Sequence, residues 1–188
     1  MSSRKYHKDY RLIEHVDERG RFTTDSVYCG EVYRFSEGTD KAHAALKKMR
    51  VWTVIGSGCF IASLVPYSTA SRMMIVMIPY LFSALPLWML FSSELRLLKK
   101  KNKLEQIDAD FANNRIAGCS LWLLILPGTS LIGEVCAIFF LGSQSILIGD
   151  IVFLAGAALL VVSAGICFSQ RKRVTAEKES LLFADDQH

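Results

Sequence analysis

Charge is what this sequence lacks, and it lacks it in blocks. Four stretches, roughly 51–68, 73–92, 116–141 and 146–168, contain only two charged residues, Glu134 and Asp150. A helix crossing a ~30 Å hydrocarbon core needs about 20 mainly apolar residues. Runs of this length are incompatible with the polar face of an ordinary soluble helix, and they lack the alternation of barrel strands. The shortest, 51–68, can start a turn earlier, with Lys47, Lys48 and Arg50 at headgroup level. The reading is an all-α membrane protein with four transmembrane helices.

Other absences narrow the function. The five cysteines, Cys29, Cys59, Cys119, Cys136 and Cys167, include no CxxC pair, and four fall inside apolar stretches. There Cys acts as a small apolar residue, so neither a disulfide framework nor a zinc site is expected. The four histidines, His7, His15, His43 and His188, all lie outside the stretches. There is no HExxH, no GxSxG and no phosphate loop, so neither an enzyme nor a cofactor is expected. The first 50 residues lack the short apolar core of a signal peptide, which leaves the first span as targeting signal and anchor.

The basic residues that are present fix an orientation. Of 22 Lys and Arg residues, 21 fall in segments 1–50, 93–115 and 169–188; the exception is Arg72. Cytoplasmic loops are enriched in Lys and Arg near the membrane. Both termini and the middle loop are therefore expected in the cytoplasm (N-in/C-in), most simply at the cell membrane. Topology alone accounts for the net charge of +4, so no nucleic-acid partner is implied. Trp52, Trp88 and Trp122 lie near the inner ends of spans 1, 2 and 3, the depth Trp prefers.

Outside the spans, residues 1–46 form an N-terminal segment. Aromatic and β-branched residues flank Asp17-Glu18-Arg19-Gly20, which predicts a β-hairpin within 10–35, with room for a third short strand after Gly30. Thr39 or Asp40 can cap a helix from Lys41 that runs into span 1. In loop 93–115, Leu97, Leu104, Ile107 and Phe111 share one helical face. That face suits either an amphipathic surface element or a helical extension of spans 2 and 3 packed on the N-terminal segment. The tail 169–188 is expected to fray.

Within the spans, all four prolines occur: Pro66, Pro79, Pro86 and Pro127. Pro79 and Pro86 share a face, which allows either a kinked, cavity-lining helix or simple tolerance. Span 4 carries Gly142, Gly149, Gly156 and Ser163 at a spacing of seven, with Asp150, Ala157 and Ala164 beside them. Such small-residue stripes let helices approach closely, within one chain or between copies. Span 1 offers a weaker version in Gly58 and Ala62. Arg72, Glu134 and Asp150 are expected toward the outer half of the bilayer. A charge in a span costs about 2.5–3.5 kcal/mol on insertion scales, so it tends to be paired, hydrated or functional.

Two functional expectations follow. The first is a non-enzymatic accessory, scaffold or assembly subunit that acts through helix packing, in a homo-oligomer or a larger membrane complex. The second is a small oligomeric transporter or channel using Glu134 and Asp150. In both, the lipid bilayer is a partner.

Overall fold

The computed structural model describes residues 10–16, 22–65, 73–100, 103–140 and 148–179. Most of them are helical. Three helices are long and apolar enough to cross a membrane: Met74–Lys99, Gln106–Phe140 and Ile148–Val174. The chain is thus consistent with a multi-pass membrane protein. A further long helix, α1 (Thr39–Leu64), precedes them. Its charge-free part begins at Val51 and is shorter than the ~20 residues a span requires, because Lys47, Lys48 and Arg50 occupy its middle.

The first long apolar helix is broken into α2 (Met74–Phe82) and α3 (Ala84–Lys99). Pro86 has no N–H to offer the carbonyl four residues back, at Phe82. At the break, Ser83 donates its N–H to both Pro79 O (3.2 Å) and Tyr80 O (3.1 Å), tightening the turn. Helix α4 (Gln106–Asp110) runs through a π-helical turn at Phe111–Arg115 into α5 (Ile116–Phe140). Helix α6 (Ile148–Gln170) ends in a 3-10 turn at Arg171–Val174.

Packing follows the small residues. Helix α1 lies on α6, α6 on α5, α5 on α2 and α3, and α3 on α1, which closes a ring. The stripe of α6 points inward: Gly149, Asp150, Gly156, Ala157, Ser163 and Ala164 are all buried. A Cβ on Gly156 would lie 2.7 Å from Ser63 Cβ and 3.1 Å from Cys59 O, and one on Gly56 would lie 3.3 Å from Ser163 Cβ. The matching stripe on α1 is therefore Gly56 and Ser63. Gly58 and Ala62 are exposed instead. Gly142 lies outside the described residues.

At the end of the bundle that carries the Lys and Arg clusters, here the basic end, short elements tie the helices together. Strand β3 (Tyr33–Phe35) pairs antiparallel with β4 (Ala176–Lys178). The tail thus folds back onto the N-terminal segment where fraying was expected, because Val174 and Ala176 find buried positions. Tyr33 also exchanges two backbone hydrogen bonds of 2.9 Å with Leu104. The expected loop 93–115 is mostly helix: α3 continues to Lys99 and helix resumes at Gln106, with Leu97 and Leu104 buried. Gly38, at φ 89°, turns the chain from β3 into α1 without a side-chain cap from Thr39 or Asp40.

Strands β1 (Tyr10–Val16) and β2 (Phe22–Tyr28) form an antiparallel hairpin from Tyr10 opposite Tyr28 to Val16 opposite Phe22. The expected turn, Asp17–Gly20, lies outside the described residues. Among the described residues no third strand joins this sheet, since β3 pairs with β4.

Candidate functional site

The polar groups buried in the bundle lie at three levels. Nearest the basic end, Thr53 of α1, Glu94 of α3 and Cys167 of α6 meet. Thr53 Oγ1 donates to Glu94 Oε1 at 2.8 Å and lies 3.7 Å from Cys167 Sγ. The thiol faces Met49 O, also at 3.7 Å. All three side chains are buried, and Glu94 is 0 % exposed. The second carboxylate oxygen, Oε2, is buried without a hydrogen-bond partner.

The middle level is aromatic. Phe60 stacks on Tyr80 with ring centroids 5.1 Å apart, and Tyr80 meets Phe153 at 4.8 Å. Tyr80 is 0 % exposed, and its hydroxyl is hydrogen-bonded to Ser63 Oγ. Buried tyrosine needs such a partner. The layer fills the space between α1, α2 and α6.

The third level lies at the opposite end, where Glu134 and Asp150 are both 0 % exposed. They project from α5 and α6, which pack side by side. Asp150 and Cys167 on α6 are separated by about 25 Å of helical rise, so the acids at the two ends are far apart. The face of α5 carrying Glu134 also holds Ser120, Pro127, Ser130 and Ala137, all buried. Ser120 and Ser130 donate to carbonyls of their own helix, at 2.7 Å and 3.1 Å. Arg72, the third member of the expected charge cluster, lies outside the described residues.

Glu94 is the residue that sequence reasoning missed. Its position beyond Ser92, beside Arg96 and Lys99, reads as surface loop. The available signal was periodic: Leu87, Leu90, Glu94 and Leu97 recur at helical spacing, and all are buried. Asp108 is similar. It is 0 % exposed and sits between Arg96 Nε (2.6 Å) and Lys100 Nζ (3.1 Å).

Around these levels the basic end forms a brace. Asn113, in the π-helical turn, binds Ala176 through both amide atoms, at 2.9 Å and 2.8 Å. His43 meets Lys100 O at 2.9 Å, and its ring sits edge-on to Phe35. Lys100 also binds Glu105 at 2.7 Å. Burial pulls the Lys100 ammonium down, but the hydrogen bonds it donates to Glu105 and Asp108 outweigh it and the net shift is upward. Among the described residues, no group of three or more His, Cys, Asp or Glu side chains could hold a metal ion. No family model, curated protein or solved structure matches the chain.

Proposed function

We propose that this chain is a non-enzymatic four-span membrane protein that acts by association, as an accessory, scaffold or assembly subunit. The observation that carries the reading is the hairpin β1–β2, a two-stranded sheet joined by no other described strand. Two strands alone are marginally stable in water, and an open edge is a ready template for another chain. The brace beneath it supports the same reading. Tyr28, the last residue of the hairpin, accepts a hydrogen bond from Gln106 N at 3.0 Å, so the hairpin is tied to the start of α4. The aromatic layer packed between α1, α2 and α6 favours a packed body over a conduit within one copy.

In this reading α1 is the first of the four spans. Its outward residues Val51, Val54, Ile55, Ile61 and Val65 are exposed and apolar, as a lipid-facing side requires. Both termini lie in the cytoplasm, and the membrane is the cell membrane. Cysteines engineered at Thr69 and Ser143, in a cysteine-free background, label from outside; one at Lys172 does not. Labelling of Lys172 from outside overturns the topology.

Affinity capture of the full chain from its native membrane tests the association. A stoichiometric partner is expected, and deleting residues 10–28 releases it. A chain that always elutes alone counts against the reading. The second reading, an oligomeric transporter or channel, draws support from the full burial of Glu134 and Asp150 at one end. It expects a proton or cation flux in proteoliposomes that is lost when both acids are neutralised. Absence of flux in the parent protein rejects it.

A further inference from the structure

A groove of about 530 Å³ runs between α3 and α5, within the ~300–1,000 Å³ range of ligand sites. Its walls are apolar: Leu85 and Met89 from α3, and Gly118, Trp122 and Leu126 from α5. Gly118 borders open space: a Cβ built there meets nothing within 4 Å. Two other apolar grooves flank the bundle. One is lined by Phe60 and Trp88, the other by Val76 and Phe140, and neither has a charged residue on its walls.

This groove does have one. Arg115 lines its basic end, at the last position of the π-helical turn. The guanidinium lies over the Phe111 ring, 4.7 Å from the centroid. Its Nε is buried with no hydrogen-bond partner. Arg96, over the same ring at 5.0 Å, is neutralised by Asp108. Arg115 has no carboxylate within ion-pair distance among the described residues. An uncompensated cation with an unused donor therefore heads an apolar channel.

The length of the channel identifies the occupant. From Arg115, at the end of the π-helical turn, to Leu126 in α5 the helix rises about 16 Å, which matches the ~15 Å of one leaflet's hydrocarbon. A partner transmembrane helix would use the whole ~30 Å. We infer that the groove binds an anionic phospholipid, with one acyl chain against Gly118 and Trp122 and the phosphate on Arg115. The inference rests only on the helices lying in a membrane and is independent of the association reading.

Trp122 reports the site directly. The full chain with Trp52→Phe and Trp88→Phe is reconstituted in phosphatidylcholine vesicles containing brominated phosphatidylglycerol or, separately, brominated phosphatidylcholine. Bromine quenches Trp122 when the acyl chain occupies the groove. The anionic lipid is expected to quench at about fivefold lower mole fraction, the factor one basic residue contributes at an anionic surface. Arg115→Gln removes that preference and Arg115→Lys retains it. Gly118→Leu, which fills open space, lowers quenching by both lipids. Equal quenching by the two lipids in the parent, or a preference that survives Arg115→Gln, overturns the inference.

Discussion

Thr53 and Glu94, 41 positions apart in sequence, share a 2.8 Å hydrogen bond in the interior of the bundle. Both side chains are excluded from solvent. The bond joins α1 to α3 and satisfies one oxygen of a buried carboxyl group. Removing one partner of such a pair costs more than removing both.

Thr53→Val keeps the shape and deletes the donor, leaving Glu94 buried without it. We expect a loss of about 1–3 kcal/mol, read as a lower midpoint of thermal unfolding in detergent. Adding Glu94→Leu to that variant should restore much of the loss, since two apolar groups then meet. Unchanged stability in the single variant would show that the bond contributes nothing.

Gly156 and Gly58 make opposite predictions for the same substitution. Gly156→Ala puts a methyl 2.7 Å from Ser63 Cβ and must separate α1 from α6, at a cost of about 1–3 kcal/mol. Gly58→Ala meets nothing within 4 Å and should stabilise by roughly 0.5–1 kcal/mol through better helix propensity. Unfolding curves of the two variants compared with the parent check both signs.

Glu31 and Lys178 close the β3–β4 end of the brace. The hydrogen bond from Lys178 holds the Glu31 carboxyl below its ordinary 4.5, with Tyr33 adding to the effect. A depressed carboxyl contributes stability above its unfolded pKa and loses it as pH falls through the folded value. The contribution of the pair should therefore disappear only below the ordinary carboxylate range. A carboxyl-carbon NMR titration of Glu31 checks this: the midpoint lies under 4.5 in the parent and rises in Lys178→Ala.

Asn113→Ala deletes both hydrogen bonds to Ala176. Each contributes about 0.5–1.5 kcal/mol, and their loss falls on the tail. Hydrogen exchange at Ala176 should accelerate markedly while the amides of α6 near Leu160 stay protected. Equal acceleration at both would mean that the tail and the bundle open together.

Much of this architecture was legible in the residues. Long uncharged runs specify helices because a backbone in hydrocarbon must satisfy its own hydrogen bonds. The heptad of small residues on α6 marked its buried face. The site was less legible. Glu134 and Asp150 stood out because a charge in an apolar run is conspicuous. Glu94 did not, since it lies among the cations at the end of its helix. Only the continuation of α3 to Lys99 turns it inward. The folding back of the tail was hidden for a related reason, because β4 has three residues and exists only through its pairing with β3.

The sequence by itself determined a membrane-type helical body, a terminal hairpin and the segregation of basic residues. Each depends on composition and short-range periodicity, which act along the chain. Tertiary structure alone decided three other things. It set Gly156 against Ser63 rather than against another copy. It placed Thr53 beside Glu94, and it left an unfilled groove beneath Arg115. These depend on which faces of separate helices meet, and that is fixed by the closeness of approach that small residues permit.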